Sequence, residues 1–343
     1  MADQEMNASQ EQKEIVTEAN PVGAPSAENG KKKKSGKALP LILGSVGVGL
    51  VALIFGVALI FTGLTKSAYN AGEYKKAYEN SALAFVMAKE DKMLVTQYYI
   101  ERVLCREQGE YYKAAKFLEE TDIPAETREK MFRRNPLLAM CFKGNIATYG
   151  ELYAQDVDWV VLDVVEENGR ARAFLLSKDV LGNSNGWKKE KSRITYYESS
   201  DLHSWCGFDF LNPFKMSLED PSRLLEVTVS TADASDGSDS GPDFKAIAYA
   251  PSKEELQTYL TGDLEKYLKA SGTATAEKSG VLCRGKENYA AYFTRNIGIL
   301  SSTDQTWKAS GVTLDGVITE EISVASLITG TRVCINVDLG PVE

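Results

Sequence analysis

The sequence predicts an α+β module that follows a short tail, one transmembrane helix and an all-α segment. Three observations lead to this prediction. The 27 residues from Ala38 to Leu64 include no charged side chain, which is typical of a membrane-spanning helix. Residues 65–146 carry apolar side chains at helical spacing, and from Asp158 onwards short β-branched and aromatic runs appear. The predicted parts are residues 1–37, 38–64, 65–146 and 147–343.

The charges beside the predicted span indicate its orientation. Basic residues next to a span are retained on the cytoplasmic side, and four consecutive lysines precede the apolar run: Lys31, Lys32, Lys33 and Lys34. Residues 1–37 are then a cytoplasmic tail, whose composition predicts disorder, and the residues after Leu64 form an extracytoplasmic unit. A cleaved signal peptide is the alternative interpretation, but its apolar region is usually only about 7–15 residues long.

Small residues follow one face of the predicted span. Ser45, Gly49, Ala52 and Gly56 recur at steps of four, three and four residues, which places them on the same side of a helix. Such a face permits two helices to approach closely. Self-association through this face is therefore a hypothesis, although glycine and alanine are common in membrane helices in any case.

The charge balance narrows the range of partners. The chain has a formal net charge of −9 and a pI of about 5.0, which argues against nucleic acid as a partner. The lipid bilayer is the partner that the apolar run itself predicts. The lysine cluster Lys31 to Lys34 can also contact anionic headgroups of the inner leaflet, but setting the topology is its simpler role.

Histidine and cysteine usage limits the chemistry. His203 is the one histidine, which excludes metal sites built from several histidines. It lies three residues before Cys206, so a base and nucleophile pair is an interpretation, and a helix residue beside a buried thiol is the preferred one. Cys105 and Cys141 are a candidate disulfide or two free thiols. The sequence indicates no cofactor.

The membrane-proximal segment contains a repeat. Residues 72–79, GEYKKAYE, return as GEYYKAAK at residues 109–116, a displacement of 37 residues. The pattern Gly-x-Tyr-x-x-Ala resembles the turn and second helix of tetratricopeptide repeats, whose usual period is about 34. We therefore predict a tetratricopeptide-like helical stalk over residues 65–146. Within it a helix is predicted to start at Pro124 and to run as far as Phe142.

The distal region is predicted to hold a largely antiparallel sheet with helices between the strands. Asn168-Gly169 predicts a tight hairpin, since this dipeptide accommodates positive φ. Ser252 and Glu255 form a capping-box pattern at a helix start. The predicted strands are Trp159–Val165, Ala173–Ser177, Leu225–Ser230, Ala246–Ala250 and Arg332–Leu339, and a predicted helix covers Leu202–Leu211.

Four blocks of this region resemble a bacterial extracytoplasmic family of unknown function. The blocks are Trp159–Leu181, Ser199–Phe214, Phe244–Leu260 and, together, Tyr292–Asn296 with Gly330–Leu339. The resemblance covers about residues 155–340. Cys206-Gly207, Tyr292-Phe293 and Val333 depart from the family's signature of tryptophan, leucine-asparagine and proline positions. The resemblance implies a compact module related to C-type-lectin-like or sulfatase-modifying-enzyme-like folds, and it implies no particular activity.

Two arginines are candidate ligand-binding residues. Arg295 and Arg332 both lie in β-rich blocks, where a guanidinium group needs a partner. A structural pairing with a carboxylate is the preferred interpretation, and binding of an anionic ligand is the alternative. The large aromatic side chains of the same blocks are expected to form the core instead of a ligand platform.

An acidic segment is a candidate calcium site. Asp233, Asp236, Asp239 and Asp243 lie among serine and glycine residues between Thr231 and Asp243, and carboxylates are hard oxygen ligands that suit calcium. Their spacing is not that of an EF-hand loop. The composition is equally typical of a solvated connection between strands.

These observations predict a membrane-anchored extracytoplasmic binding or interaction protein that is not an enzyme. No phosphate-binding loop or nucleophile motif occurs in the sequence, which argues against an enzyme. The sequence does not identify the ligand, and an extracellular glycan and a protein are both candidates. One alternative is an envelope enzyme acting on a cell-wall or extracellular polymer, with Asp201, Glu219 and Asp220 as candidate acid and base. A second alternative is a transmembrane scaffold or sensor.

Overall fold

The computed structural model describes residues 39–187, 196–231, 241–297, 301 and 306–342, with side chains from Leu50 onwards. The chain divides into two compact units, Met1–Leu53 and Ile54–Glu343.

Three of the predicted features lie outside the described residues. They are the tail, the basic cluster and most of the acidic segment, so their predictions stay predictions. The residues concerned are 1–37 with the topogenic lysines Lys31, Lys32, Lys33 and Lys34, and the aspartates Asp233, Asp236 and Asp239.

The first element is the long helix α1, Leu39–Asn70. It begins one residue after the start of the predicted span and continues six residues beyond Leu64, the predicted end. Within the described residues, the part Leu50–Asn70 is long and apolar enough to cross a membrane. Leu50, Leu53 and most other large side chains as far as Ile60 are exposed, as lipid-facing residues must be in a bilayer.

Short helices follow, and both copies of the repeat fold alike. Each copy begins with a glycine turn and continues as a helix, α2 after Gly72 and α4 after Gly109. Ala77 and Ala114, the alanines shared by the two copies, are completely buried. The helices are α2 (Tyr74–Ser81), α3 (Lys89–Tyr98), α4 (Tyr111–Glu119), α5 (Ala125–Arg134) and α6 (Pro136–Ala139).

Two features of these helices differ from the predicted pattern. α3 continues without a break into a π-helix, Tyr99–Glu107, a rare conformation that is frequent at functional sites. The predicted helix that begins after Pro124 ends at Arg134 instead of Phe142. Pro136 is the cause, because a proline disfavours helical geometry in the residue before it, and Asn135 accordingly has φ −133° and ψ 82°.

A five-stranded sheet forms the centre of the distal region, in the order β1-β2-β3-β14-β6. All its pairings are antiparallel. The predicted hairpin is confirmed: β2 and β3 are joined at Asn168 and Gly169, with φ of 52° and 74°. The strands are β1 (Ile146–Leu152), β2 (Gln155–Glu167), β3 (Arg170–Ser177), β6 (Ala248–Tyr249) and β14 (Cys334–Pro341).

Three smaller sheets surround the central one. The four-stranded sheet β12-β11-β10-β13 includes one parallel pair, β10 with β13, whereas its other pairs are antiparallel, as predicted. The remaining sheets have the orders β4-β5 and β7-β9-β8. The strands are β4 (Val227–Val229), β5 (Phe244–Ala246), β7 (Ala270–Ser271), β8 (Cys283–Arg284), β9 (Tyr289–Ala290), β10 (Tyr292–Phe293), β11 (Lys308–Val312), β12 (Ile318–Ser323) and β13 (Gly330–Thr331).

The distal helices occupy the connections between strands. The predicted helix near Leu202 is α7, which continues through the π-helical segment Trp205–Phe210 into α8. α9 begins at the predicted capping box, where the Ser252 and Glu255 side chains each bind the backbone N–H of the other residue. The helices are α7 (Asp201–Ser204), α8 (Leu211–Ser217), α9 (Lys253–Tyr259) and α10 (Ala274–Lys278).

One hydrophobic core joins the helices after residue 99 to the sheet. It contains Leu104, Leu118 and Leu138 from the helical segment together with Trp159 and Ile335 from the sheet, all of them buried. α4 packs against β14, and α5 and α6 pack against β1. The predicted boundary between residues 146 and 147 therefore lies within one core.

Both candidate arginines are buried inside this unit. Arg295 makes a bidentate pair with Glu255 at 2.5 and 2.9 Å, as the structural interpretation predicts. Arg332 is 0% exposed and donates only to neutral oxygens, the carbonyls of Ser177 and Tyr267 and the hydroxyl of Tyr292. No carboxylate pairs with Arg332 among the described residues, and its Nη2 is buried without a hydrogen-bond partner there. Neither guanidinium faces a surface ligand.

We predict that Arg332→Lys lowers the free energy of unfolding by about 2–4 kcal/mol, because an ammonium group cannot reach three separated acceptors and stays buried. Urea unfolding of the full chain in detergent, followed by tryptophan fluorescence, measures the change. The exposed Arg284 supplies the control, Arg284→Lys, with no expected loss. A loss below about 1 kcal/mol for Arg332→Lys would contradict the structural role.

The contact between β14 and the turn before α4 provides a second prediction. A Cβ atom at Gly340, whose φ is +98°, would lie 2.7 Å from the carbonyl oxygen of Gly109. Gly285, with φ +79°, has no atom within 4 Å of the same position. In both alanine variants the Cβ atom makes the positive φ unfavourable, which lowers the free energy of unfolding by about 1 kcal/mol. We expect Gly340→Ala to lose about 2 kcal/mol more than Gly285→Ala in the same assay, and equal losses would contradict the close packing.

Candidate ligand-binding cleft

A cleft of about 770 Å³ lies where the helical segment meets the sheet. One wall is formed by the π-helix and by the junction of α5 and α6, residues Arg134 to Leu137. The other wall consists of Tyr149 and Gly150 on β1 and the segment Ser217–Asp220 with Arg223. A concave site of this size is the default location for a bound ligand. The π-helix and its neighbours contribute Tyr98, Glu101, Arg102, Cys105, Arg106, Gly109 and Tyr111.

Two arginines on the π-helix give the cleft unpaired positive charge. Arg102 and Arg106 are exposed and form no salt bridge within the described residues. By contrast, Arg134 pairs with Glu101 at 3.0 Å. Glu219 is the remaining acidic side chain of the cleft without a salt bridge among the described residues. The unpaired charges therefore sum to a positive value, although the whole chain is acidic.

Arg223 is fixed in place at the floor of the cleft. Its guanidinium lies 4.8 Å from the ring centre of Tyr111, within cation–π range. It also pairs with Asp220 at 3.3 Å and donates to the carbonyl oxygen of Asp338 at 3.2 Å. A Cβ atom at Gly109 would lie 2.7 Å from Arg223 Nη2. Arg223 therefore connects the helical wall to strand β14.

The side chains of Tyr111, Tyr149 and Cys105 in the cleft are neutral at neutral pH. Burial raises the pKa of Tyr149 to about 12 and also raises the pKa of Tyr111. Burial likewise raises the pKa of Cys105 to about 12, so its thiol is protonated and is not a nucleophile at neutral pH. The tyrosine rings and hydroxyls thus provide stacking faces and hydrogen-bond donors.

Of the three carboxylates proposed for the enzyme alternative, two lie in the cleft and one does not. Glu219 and Asp220 line the cleft, but Asp201 begins α7 and is not part of the cleft lining. A hydrogen bond from the Ser222 hydroxyl holds the pKa of Asp220 below its usual range. Asp220 is therefore ionised at neutral pH and suits an ion-pairing role better than that of a general acid.

The pair His203 and Cys206 is separated from the cleft. The His203 ring contacts the rings of Tyr197 and Phe244, each with centroids 5.2 Å away. Cys206 is completely buried, and burial raises its pKa to about 12. The environment thus fits a packed helix residue beside a buried thiol, the interpretation that the sequence favours.

The other predicted sites are only partly described. All five cysteines are free, and Cys105 and Cys141 are both buried. Asp243 accepts from the backbone N–H of Thr231, while the other three candidate calcium ligands lie outside the described residues. Across the described ranges, no group of three histidine, cysteine or acidic side chains could hold a metal ion.

The small residues of α1 remain a prediction. Ser45 and Gly49 belong to the helix, but their side-chain surroundings are not described. Ala52 is exposed, and a Cβ atom at Gly56 would meet no atom within 4 Å. The space beside Gly56 is compatible with the predicted helix association.

Comparison with known proteins identifies one domain. Residues 170–339 match the family described as a domain of unknown function (DUF6273), which confirms the prediction of such a domain in the distal region. The match begins at β3 and ends in β14, so it includes the Ser217–Arg223 wall of the cleft and excludes the π-helix. No curated protein and no solved structure matches the chain.

The sequence analysis names two residues of the cleft, Glu219 and Asp220, but misses its arginines. The predicted ligand candidates Arg295 and Arg332 are internal, whereas Arg102, Arg106 and Arg223 line the surface site. Arg102 and Arg106 are four residues apart on one helix, a spacing that places them on the same face. This spacing is the feature of the sequence that indicates a basic helix face. Arg223 lies more than a hundred residues away, so no local pattern connects it to them.

The buried environment of His203 gives a pH-dependent prediction. Burial lowers the pKa of His203, and the neighbouring Glu198 offsets this effect only in part. Below about pH 6.5 the unfolded chain therefore takes up a proton more readily than the folded chain, and stability falls as the pH decreases. We expect His203→Phe to make the loss of unfolding free energy between about pH 7 and pH 5 smaller than in the unaltered chain. Carboxylate titration contributes equally to the unaltered chain and to the His203→Phe variant, so the difference between them reports on His203. An identical loss of unfolding free energy in both would contradict the prediction.

Proposed function

We propose that this chain is a single-pass membrane protein that binds an anionic ligand in the cleft on the extracytoplasmic side. The single observation that carries the proposal is the pair Arg102 and Arg106, exposed in a cleft and without acidic partners among the described residues. A guanidinium group is suited to bidentate binding of carboxylate or phosphate. Binding requires no catalytic residues, and the neutral Cys105 and the ionised Asp220 supply no nucleophile or general acid.

The anchoring part of the proposal rests on α1. Its apolar side chains from Leu50 to Ile60 are mostly exposed, and such a surface needs lipid or another apolar partner. The lysine cluster Lys31 to Lys34 favours a cytoplasmic location for the preceding residues. The remainder of the chain then lies outside the cell membrane, where the ligand is met.

The ligand that we propose is a segment of an anionic glycan. A volume of about 770 Å³ lies within the usual range for small-molecule sites, about 300–1,000 Å³. Tyr98, Tyr111 and Tyr149 line the cleft, where their hydroxyls and the uncovered parts of their rings can contact a sugar, and Arg102 and Arg106 offer charge for carboxylate or phosphate substituents. Cell-envelope polymers carry both kinds of group.

Finer structural assignments remain part of this proposal. The shared turn and helix of residues 72–79 and 109–116 support a tetratricopeptide-like origin for the helical segment, whereas the lectin-like relationship of the distal domain stays a prediction. Glu219 faces the cleft, so the test below also measures cleavage of the glycan. The scaffold or sensor alternative predicts a protein ligand in place of a glycan.

The test is binding of anionic cell-wall glycan fragments to the full chain in detergent, measured by calorimetry after an array screen. We expect the double variant Arg102→Ala/Arg106→Ala to bind at least about tenfold more weakly, with a smaller salt dependence. The matched control is Arg284→Ala/Lys286→Ala, which removes two exposed basic side chains outside the cleft.

Three results decide between the alternatives. Equal losses of affinity in both double variants would mean that only the net charge of the chain matters. That result would contradict binding in the cleft. A blank array would contradict a glycan ligand and favour a protein. Shortened fragments in the product mixture, abolished by Glu219→Gln, would favour the envelope enzyme.

A further inference from the structure

One face of α1 is covered by protein before the apolar run ends. Ala58 and Thr65 are both 0% exposed, and Phe61 is partly buried. Ala77 on α2 and Val95 on α3 belong to the cluster that packs against this face. This side of the helix is therefore withdrawn from lipid within the predicted span Ala38–Leu64.

The segment Ala82–Ala88 links α2 to α3 and has two apolar sides. Ala84 and Met87 are buried in the cluster against α1. Leu83 and Phe85 face the opposite way and are 53% and 50% exposed. Exposed loop residues of a soluble domain are normally polar. The exposed side chains of Leu83 and Phe85 therefore need an apolar partner.

The exposed pair is continuous with the apolar surface of α1. The Phe85 ring packs edge-to-face on Phe55, with centroids 6.0 Å apart. Phe55 is itself 52% exposed, and Ile54 and Val57 beside it are also exposed. The helix and the segment thus present one joined apolar surface, and the partner that covers the helix is also the partner for the segment.

The depth of Phe55 in the bilayer fixes where that partner lies. Twenty helical residues cross about 30 Å of hydrocarbon. A span ending at Leu64 would place Phe55, and with it Phe85, near the bilayer centre, where a non-helical segment exposed to lipid is strongly disfavoured. A span from Ala38 to Val57 instead places both rings at the outer boundary.

We propose that the segment Ala82–Ala88 inserts Leu83 and Phe85 into the outer interface of the lipid bilayer, and that α1 leaves the hydrocarbon near Val57. This proposal rests on the membrane anchoring proposed above. Three backbone N–H groups of the segment already bind carbonyls within it or in α2, which lowers the cost of placing them near lipid. Lys89 directly follows the segment; it is exposed and pairs with the exposed Asp122 at 2.7 Å, so a polar, charged group lies beside the segment where headgroups would be.

The test uses the full chain in liposomes and tryptophan quenching by brominated lipids. Phe85→Trp and Leu83→Trp report on the segment, and Leu50→Trp reports on the span. Met216→Trp is the exposed control, because Met216 is 88% exposed on α8. The four native tryptophans contribute the same background fluorescence in every variant. Measuring the unaltered chain gives the quenching of this background.

We expect bromines near the headgroups to quench the added tryptophan in Phe85→Trp and Leu83→Trp at least about twice as strongly as in Met216→Trp. Leu50→Trp should be quenched more strongly by bromines deeper in the acyl chains.

The outcomes separate the two proposals. Quenching of Leu50→Trp with no quenching at positions 83 and 85 would overturn the interfacial insertion, leave the anchoring intact and point to a protein cover on the segment. Quenching at positions 83 and 85 only by the deeper bromines would overturn the exit near Val57. No quenching of Leu50→Trp would overturn the membrane anchoring and the insertion together.

Discussion

The fold depends on one constraint: the helices between residues 99 and 142 bury their apolar faces against the sheet instead of against a further layer of helices. Leu104, Leu118 and Leu138 share a core with Trp159 of β2 and Ile335 of β14. A short helical segment has too little apolar surface to form an independent core, and packing on the sheet supplies it. The helical layer is consequently part of the distal unit and shapes its surface.

The cleft is a consequence of that junction. Its lining comes from both sides of the junction, the π-helix with the ends of α5 and α6 on one side and β1 with the segment Ser217–Arg223 on the other. Arg223 joins the two sides of the cleft, since it lies over the ring of Tyr111 and pairs with Asp220 while donating to the carbonyl oxygen of Asp338 on β14. Arg102 and Arg106 lie on the helical side of this junction, opposite the wall to which Arg223 belongs.

Features governed by neighbouring residues could be predicted from the sequence. Asn168-Gly169 specifies its hairpin through backbone conformation alone, and Ser252 with Glu255 specifies a helix start within one turn. The partners of Arg332 and the assembly of the cleft depend on residues far apart in the chain, which no local pattern encodes. The end of α5 is also specified locally: Pro136 disfavours helical geometry at Asn135, so the helix predicted to run as far as Phe142 ends at Arg134.

The point at which α1 ceases to face lipid also depends on residues far apart in the chain, so no local pattern predicts it. Hydropathy records that Ala58, Phe61 and Leu64 are apolar, but it cannot distinguish a side chain covered by lipid from one covered by protein. The structure makes this distinction, since Ala58 is covered by protein while Leu64 is 47% exposed. An apolar run longer than the bilayer requires is accommodated by tilting or by protein packing at one end. With α2, α3 and the segment Ala82–Ala88 packed on one face of α1, protein replaces lipid at Ala58 and in part at Phe61, whereas Leu59, Ile60 and Leu64 on the other faces stay exposed.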